Sequence, residues 1–374
     1  VYGYPDDAGR DAVPEPTPET IRSYLSEKLC TDVRVISISR LGKGAREGAA
    51  KGYGYGVPLL VHYESGGVAR RVVLETTSPG PFGHEHMADR AQMLLWDHGA
   101  YNRLPRHVRS IDVGAFRTGG PPVSLGDVEE LFLLVEHVEG REYIADLARL
   151  QAGEPLRELD LSRSAALCRY LVEIHSTRGT EAGLYARRIR ELVGHGECIF
   201  GLCDSYPDKH GFITRDLLEQ VELDCVRWRW KLRGRSHRLR QVHGDFHPYN
   251  ILFREGTDFS VLDRSRGEWG DPADDVTSIT GNYLFSSLQR HGALRGSFET
   301  LFRGFWDRYA EWSGDGEIFE VAAPFFAFRC LVMASPVWYP SLDESVRRKL
   351  FGFMRTLLSE ERFDPSRVDA YCAG

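Results

Sequence analysis

One stretch limits the fold more than any other, residues 243–275. It opens with His243-Gly244-Asp245-Phe246-His247-Pro248-Tyr249-Asn250, where Gly244 and Pro248 keep the backbone from being helical. Two short apolar runs follow, Ile251-Leu252-Phe253 and Phe259-Ser260-Val261-Leu262-Asp263, divided by the polar turn Arg254-Glu255-Gly256-Thr257-Asp258. The turn predicts a hairpin. That hairpin puts Asn250 just before one strand and Asp263 at the end of its partner, so the two side chains can converge. It is an exception within its surroundings: most of 141–240 and 275–374 has helical periodicity, as in Ala165, Leu167, Leu171, Ile174 and His175.

Before Gly140 the patterning is different. Residues 1–20 are rich in Pro, Asp and Glu and read as a mobile arm. An amphipathic helix is predicted from Thr20, carried by Ile21, Tyr24, Leu25 and Leu29. Three β-like runs follow, Val33–Ile38, Val57–Tyr63 and Ala69–Leu74, separated by glycine-rich segments, and they predict an antiparallel sheet. A helix is expected over Met87 to His98, and a further strand over Leu131-Phe132-Leu133-Leu134-Val135. The expected class is therefore α+β, a small antiparallel β lobe over 21–138 and a larger, mainly helical lobe over 139–374. No internal repeat is present.

Composition removes several function classes. The chain of 374 residues carries a net charge of −7, which argues against general nucleic-acid binding. No apolar run approaches the roughly 20 residues that span a bilayer, and the N-terminus lacks a basic-then-apolar signal pattern. The seven cysteines show no C-x-x-C pair and no zinc-like spacing, as expected of reduced thiols in a cytoplasmic protein. The run from Arg227 to Arg240 could dock an acidic partner, but it reads better as the solvated side of a helix whose tryptophans pack inward. Neither a P-loop nor a G-x-S-x-G elbow is present. The composition leaves the oligomeric state open.

The 243–275 segment holds the equipment of phosphoryl transfer. One carboxylate can take the proton of an attacking hydroxyl. One amide and one further carboxylate supply oxygens to a hard cation such as Mg²⁺. His243 and His247 are spaced like a zinc pair, but Gly244 and Pro248 exclude the helix that such a pair needs. The pattern H-G-D-x-H-x-x-N, then a hairpin, an Asp and Gly270-Asp271-Pro272-Ala273-Asp274-Asp275, resembles the core of the aminoglycoside-phosphotransferase and choline-kinase group of kinase-like folds. The resemblance implies that Asp245 is the catalytic base and that Asn250 and Asp263 hold Mg²⁺. It implies that Asp271 braces the loop or faces substrate, and gives His243 and His247 a bracing or substrate-side place. Asp274 and Asp275 read as a plain charge pair at a helix N-terminus. Arg264 and Arg266 replace the apolar-then-acidic residues usual after the Asp. They could reach phosphate or pair with acids such as Glu268.

In the first lobe the resemblance is looser. Gly42-Lys43-Gly44 and the residues to Gly48 read either as a phosphate-covering loop or as a glycine-rich hairpin turn, and a second glycine cluster follows at Gly52, Gly54 and Gly56. Glu136 and Val138, after the expected strand, stand where the family contacts the adenine or guanine edge. The family's strand lysine is replaced by Glu75, and no lysine lies between Lys51 and Lys209. Either Glu75 points to solvent, or it forms an inverted pair in which Arg90 of the next helix brings the positive charge and Glu75 orients it.

Three readings follow. The chain transfers the γ-phosphoryl group of ATP or GTP, with Mg²⁺, to a hydroxyl of a small molecule such as an aminoglycoside, sugar or amino alcohol. Alternatively, Glu75 marks a protein that binds nucleotide without turnover. The same fold could also transfer a nucleotidyl group. Aromatic residues of the C-terminal helices, among them Phe305, Trp306, Trp312 and Trp338, are expected to be mostly core, with a few free to stack on an acceptor.

Overall fold

A computed structural model describes residues 16–41, 56, 58–80 and 82–373. Contacts divide the chain into two compact units, Val1–Val135 and Glu136–Gly374.

In the first unit, helix α1 (Pro18–Leu29) starts two residues before the expected Thr20, because Thr17 and Thr20 cap it reciprocally and Pro18 suits the first turn. Its Ile21 and Leu25, one turn apart, pack on Val33, Val61 and Tyr63 of the sheet. That sheet is β1 (Val33–Arg40), β2 (Leu59–Ser65) and β3 (Val68–Leu74), antiparallel in sequence order. The β2–β3 connection is the two-residue turn Gly66-Gly67, with φ of 58° and 74°. Both positions need a left-handed backbone, which glycine adopts at no steric cost. Helix α2 (Met87–Tyr101) and the short pair β4 (Gly114–Ala115) and β5 (Val123–Ser124) complete the unit.

The strand expected over Leu131–Val135 does not form. Those residues join no sheet, and Phe132 is 90% exposed. Apolar, β-prone composition makes a strand only where a neighbour supplies hydrogen bonds and a face to pack on, and among the described residues none does.

The second unit is mainly helical. It contains β6 (Arg141–Glu142), α3 (Ile144–Gln151), α4 (Glu158–Ser176), α5 (Ala182–Gly194), α6 (Ile199–Ser205), the hairpin β7 (Lys209–His210) with β8 (Ile213–Thr214), and α7 (Arg215–Leu232). Next come β9 (Arg240–Gln241), β10 (Ile251–Phe253), β11 (Phe259–Val261) and β12 (Trp269–Gly270). Helices α8 (Pro272–His291), α9 (Gly296–Ser313), α10 (Ile318–Ala334), α11 (Glu344–Ser359) and α12 (Val368–Tyr371) close the chain. The fold class is thus α+β, with small antiparallel sheets beside a helical body.

Helices α8 and α10 form the centre of this unit and are buried along most of their length. Apart from Glu320 in its first turn and Arg329, helix α10 is apolar on every side, the pattern of a helix buried along most of its length. The C-terminal aromatics divide as their positions dictate: Phe305, Trp306, Tyr309, Phe325 and Phe326 are core, whereas Trp338 is 65% exposed. The basic run is not uniform either. On α7, Trp228 is buried and donates Nε1 to the Leu358 carbonyl at 2.9 Å. Trp230 is 60% exposed, with the guanidiniums of Arg229 and Arg233 over its ring. Inward packing therefore holds for only one of the two tryptophans. Among the described residues, no helix is long and apolar enough to cross a membrane.

Candidate active site

The loop 243–250 hangs between two anchors. Before it, β9 pairs with β12, and the Val242 amide continues the ladder to the Glu268 carbonyl at 2.9 Å. Where the loop leaves the ladder, the amides of His243 and Gly244 donate to the two oxygens of Asp275, each at 2.8 Å. Gly244 has φ +85°, a left-handed backbone that a side chain would strain.

The sequence pattern reads Asp275 as half of a plain helix-terminal charge pair; it does lie in the first turn of α8, but its bonds give it a further role. It is fully buried in α8 and also meets His175 Nε2 at 3.0 Å, while His175 Nδ1 lies 2.8 Å from the Tyr309 hydroxyl. Burial raises its carboxyl, but the His175 hydrogen bond and charge outweigh burial and hold it below the usual range. Asp275 is therefore an ionised bracket for two backbone amides. Asp274 differs from the same expectation in another way: its carboxylate is bound by Arg329 Nη2 at 2.7 Å, and burial pushes its carboxyl up in spite of that charge.

Asp245 stands in the middle of the loop. Arg329 Nη1 donates to its Oδ1 at 2.7 Å, Arg266 Nη2 lies 4.0 Å from the same oxygen, and His247 Nε2 is 3.5 Å from Oδ2. Burial raises this carboxyl, but His247, Arg329 and Arg266 together hold it far below the carboxylate range. His243 is buried, and loss of solvent lowers its pKa; its Nδ1 takes the Asp245 amide at 3.3 Å. His247 accepts the Tyr249 amide at 3.2 Å and so caps the short 3₁₀ turn Pro248–Asn250.

Asn250 ties this loop to the hairpin. Its Nδ2 donates to the Asp245 carbonyl at 3.1 Å, and its own carbonyl accepts the Leu262 amide at 2.8 Å. The register Ile251↔Val261 thus extends to Asn250 and Leu262, and Asp263 is the next residue. Asp263 has φ +55°, an uncommon conformation for a non-glycine residue, which breaks the strand alternation there. It is exposed, and among the described residues its carboxylate has no bonding partner. A cavity of about 230 Å³ beside it, lined in part by Tyr170, Val242, His243 and Leu262, gives room for water. With its amide nitrogen committed, Asn250 has its Oδ1 left over. Oδ1 and the Asp263 carboxylate are hard oxygen donors of the kind Mg²⁺ takes, together with water or phosphate oxygens. The residues fit that cation.

Asp271 faces protein and not solvent. It caps α8 through the Ala273 amide at 2.9 Å, accepts the Tyr185 hydroxyl at 2.8 Å, and is held by Arg238 through Nε at 2.8 Å and Nη2 at 2.9 Å. Of its two expected roles, its burial leaves only bracing open. Arg238, from the basic run, is likewise buried. Among the described residues Arg264 pairs with no acid: it donates to the carbonyls of Val242 and Glu268. Arg266 lies over the Phe328 ring at 4.7 Å beside Asp245.

In the first unit, Gly42, Lys43, Gly44 and the expected glycine loop lie outside the described residues, as do Gly52 and Gly54. The expected pairing of Glu75 with Arg90 is absent. Arg90 Nη1 instead donates to the carbonyls of His84 at 2.9 Å and Glu85 at 3.1 Å, at the start of α2. Glu75 is exposed and acts electrostatically on Tyr101, at the other end of that helix. Separation in sequence selects the wrong turn of α2. Glu136 and Val138 lie in an irregular segment outside any strand.

Sequence reasoning misses Arg329, Arg238 and His175. Arg329 leaves one signal, a lone arginine in the apolar stretch of α10, since a charge on a fully buried helix must be paired.

Several solved structures resemble the chain. A glucosamine kinase is 15% identical, covering 88% of this chain and 92% of its own, with a TM-score of 0.40. An aminoglycoside-3'-phosphotransferase of type VIII is 15% identical, covering 86% and 92%, with a TM-score of 0.29. A choline kinase from Streptococcus pneumoniae is 11% identical, covering 91% and 98%, with a TM-score of 0.33. No curated protein matches the chain. The model of the phosphotransferase enzyme family matches residues 65–312, a span that takes in the whole 243–275 segment, and this chain belongs to that family of enzymes.

Proposed function

We propose that this phosphotransferase moves the γ-phosphoryl group of a nucleoside triphosphate, ATP or GTP, to a hydroxyl of a small molecule. The observation that carries the reading is the Asp245 carboxylate, held at 2.7 Å by Arg329 on a loop that Asn250 ties to the hairpin presenting Asp263. Mg²⁺ bound by Asn250 and Asp263 would neutralise charge on the phosphate oxygens. Asp245 does the protein's own part. Oδ1 is engaged by Arg329, and Oδ2, with His247 Nε2 3.5 Å away, keeps a lone pair with which to orient the acceptor hydroxyl. The acceptor oxygen bonds to the γ-phosphorus, the bond to the β-bridging oxygen breaks, the hydroxyl proton passes to Asp245, and the nucleoside diphosphate leaves. A carboxylate of such low basicity takes the proton late, which suits a loose transition state dominated by positioning. In this reading residues 21–138 form the nucleotide-binding lobe and 139–374 the catalytic lobe.

The net charge of −7 does not by itself select a cationic acceptor, because the immediate neighbours of Asp245 are Arg329, Arg266 and His247. A sugar or amino alcohol remains the acceptor class to test first. A second reading, nucleotide binding without turnover, is favoured by Glu75 at the position of the family lysine. Thermal shifts with ATP, GTP and Mg²⁺, then turnover against glucosamine, choline and aminoglycosides, separate the two. Nucleotide-dependent stabilisation with no product under any condition would favour the second.

A further inference from the structure

Arg329 reaches the loop from α10, 84 residues beyond Asp245. It is 6% exposed and bonds three groups: Asp245 Oδ1 at 2.7 Å, Asp274 Oδ1 at 2.7 Å and the Gly244 carbonyl at 3.3 Å. Its guanidinium rests over the Phe328 ring at 4.6 Å, and among the described residues its Nε has no partner. Taking a guanidinium out of water is costly unless its partners are well placed. If Asp274 on the same helical body were the purpose of this cation, one carboxylate would suffice. Instead the two Nη atoms bridge α8 to the catalytic loop.

Resting on the reading of function above, we propose that Arg329 is the positioning residue of the catalytic carboxylate. It holds Oδ1 so that Asp245 keeps one orientation, with Oδ2 turned to the acceptor. The planar fork matters, because its two nitrogens serve two carboxylates at once. A lysine offers a single point charge and cannot hold both. The rival account is that Arg329 only neutralises buried Asp274, whose carboxylate bonds nothing else among the described residues.

The full chain is assayed for Mg²⁺-dependent ATP turnover with water as the acceptor, together with its melting temperature and amide exchange across 243–250. Four variants are compared: Arg329→Met, Arg329→Lys, Asp274→Asn and the double Arg329→Met/Asp274→Asn. Asp274→Asn is expected to keep kcat within about threefold, since Arg329 still holds Asp245. Arg329→Met should lower the melting temperature and reduce kcat about 100-fold, the scale of a displaced reacting group, with KM for ATP little changed. The double variant should recover melting temperature and not kcat, and its Asp245–His247 amides should exchange faster than those of Asp274→Asn. Arg329→Lys should recover only part of kcat. Recovery of both stability and kcat in the double variant overturns the proposal, because neutralising Asp274 would then be the whole role. Should the unsubstituted protein show no turnover with water, glucosamine, choline or an aminoglycoside as acceptor, the reading of function fails, and the exchange comparison still decides Arg329: equal rates in the double variant and Asp274→Asn refute its positioning role.

Discussion

The side-chain amide of Asn250 donates to the backbone carbonyl of Asp245 at 3.1 Å, so the residue proposed to bind the cation also fixes the backbone that carries the base. Through the Leu262 amide on its own carbonyl, Asn250 extends that link to the hairpin. The proposed base and the proposed cation ligands thus sit on one hydrogen-bonded stretch of backbone, and substitutions in it should separate binding from chemistry.

Asp245→Asn should leave nucleotide affinity nearly unchanged and lower turnover by about 10²–10⁴, the usual contribution of a general base. Isothermal titration with ATP and Mg²⁺, beside steady-state kinetics, reads both. Equal losses in the two would make Asp245 a structural or cation-binding group.

Asp263→Gly should do two opposite things. Its backbone at φ +55° is strained for aspartate and free for glycine, so the variant should gain roughly 1 kcal/mol of stability. The lost carboxylate should abolish the extra thermal stabilisation that Mg²⁺ adds to nucleotide. A normal Mg²⁺ response in the variant would remove Asp263 from the cation site.

Asp271 should carry an acid-limb stability dependence. Burial raises its carboxyl, but Arg238 outweighs burial, so the folded pKa lies below the unfolded value of 3.8. The unfolded chain then binds the proton first as pH falls. The stabilisation is present above the unfolded value and is lost as pH drops through the folded one. Denaturant unfolding should show Asp271→Asn less stable by about 3 kcal/mol at neutral pH, with a shallower decline below roughly pH 4 than the parent. Parallel declines would mean that the Arg238 pair does not set this limb.

The two tryptophans of α7 should behave differently. Trp228→Ala removes a buried ring and the bond to Leu358, at a cost of about 3–5 kcal/mol. Trp230→Ala, at an exposed position, should stay within about 0.5 kcal/mol. Chemical denaturation of each variant tests the contrast.

Glu75→Lys should likewise change stability by no more than about 0.5 kcal/mol, since no ion pair with Arg90 exists to be broken. Arg90→Ala should cost about 1 kcal/mol through its lost bonds to His84 and Glu85. A large loss in Glu75→Lys alone would restore the inverted pair. A strong gain in turnover would mark the native protein as a weakened kinase.

What the sequence by itself determined is local. Gly244 and Pro248 exclude a helix, the polar turn after Phe253 pairs β10 with β11, and the spacing then sets Asp263 one residue past the partner of Asn250. Each of these follows from backbone restrictions within a few residues, so each is legible in the order of the residues alone. The same is true of α1, the three-stranded sheet and the apolar helices, whose periodicity states which face is buried. Only the tertiary structure decided the partners of the buried charges. Arg329 meets Asp245 across 84 residues, and His175 meets Asp275 across 100. Glu75 and Arg90, paired by separation alone, do not meet at all. Leu131–Val135 has the composition of a strand and, among the described residues, no strand beside it. A backbone preference is a property of a few adjacent residues. A buried ion pair or a paired strand exists only when packing brings a second segment within hydrogen-bond reach, and desolvation then makes that particular partner obligatory.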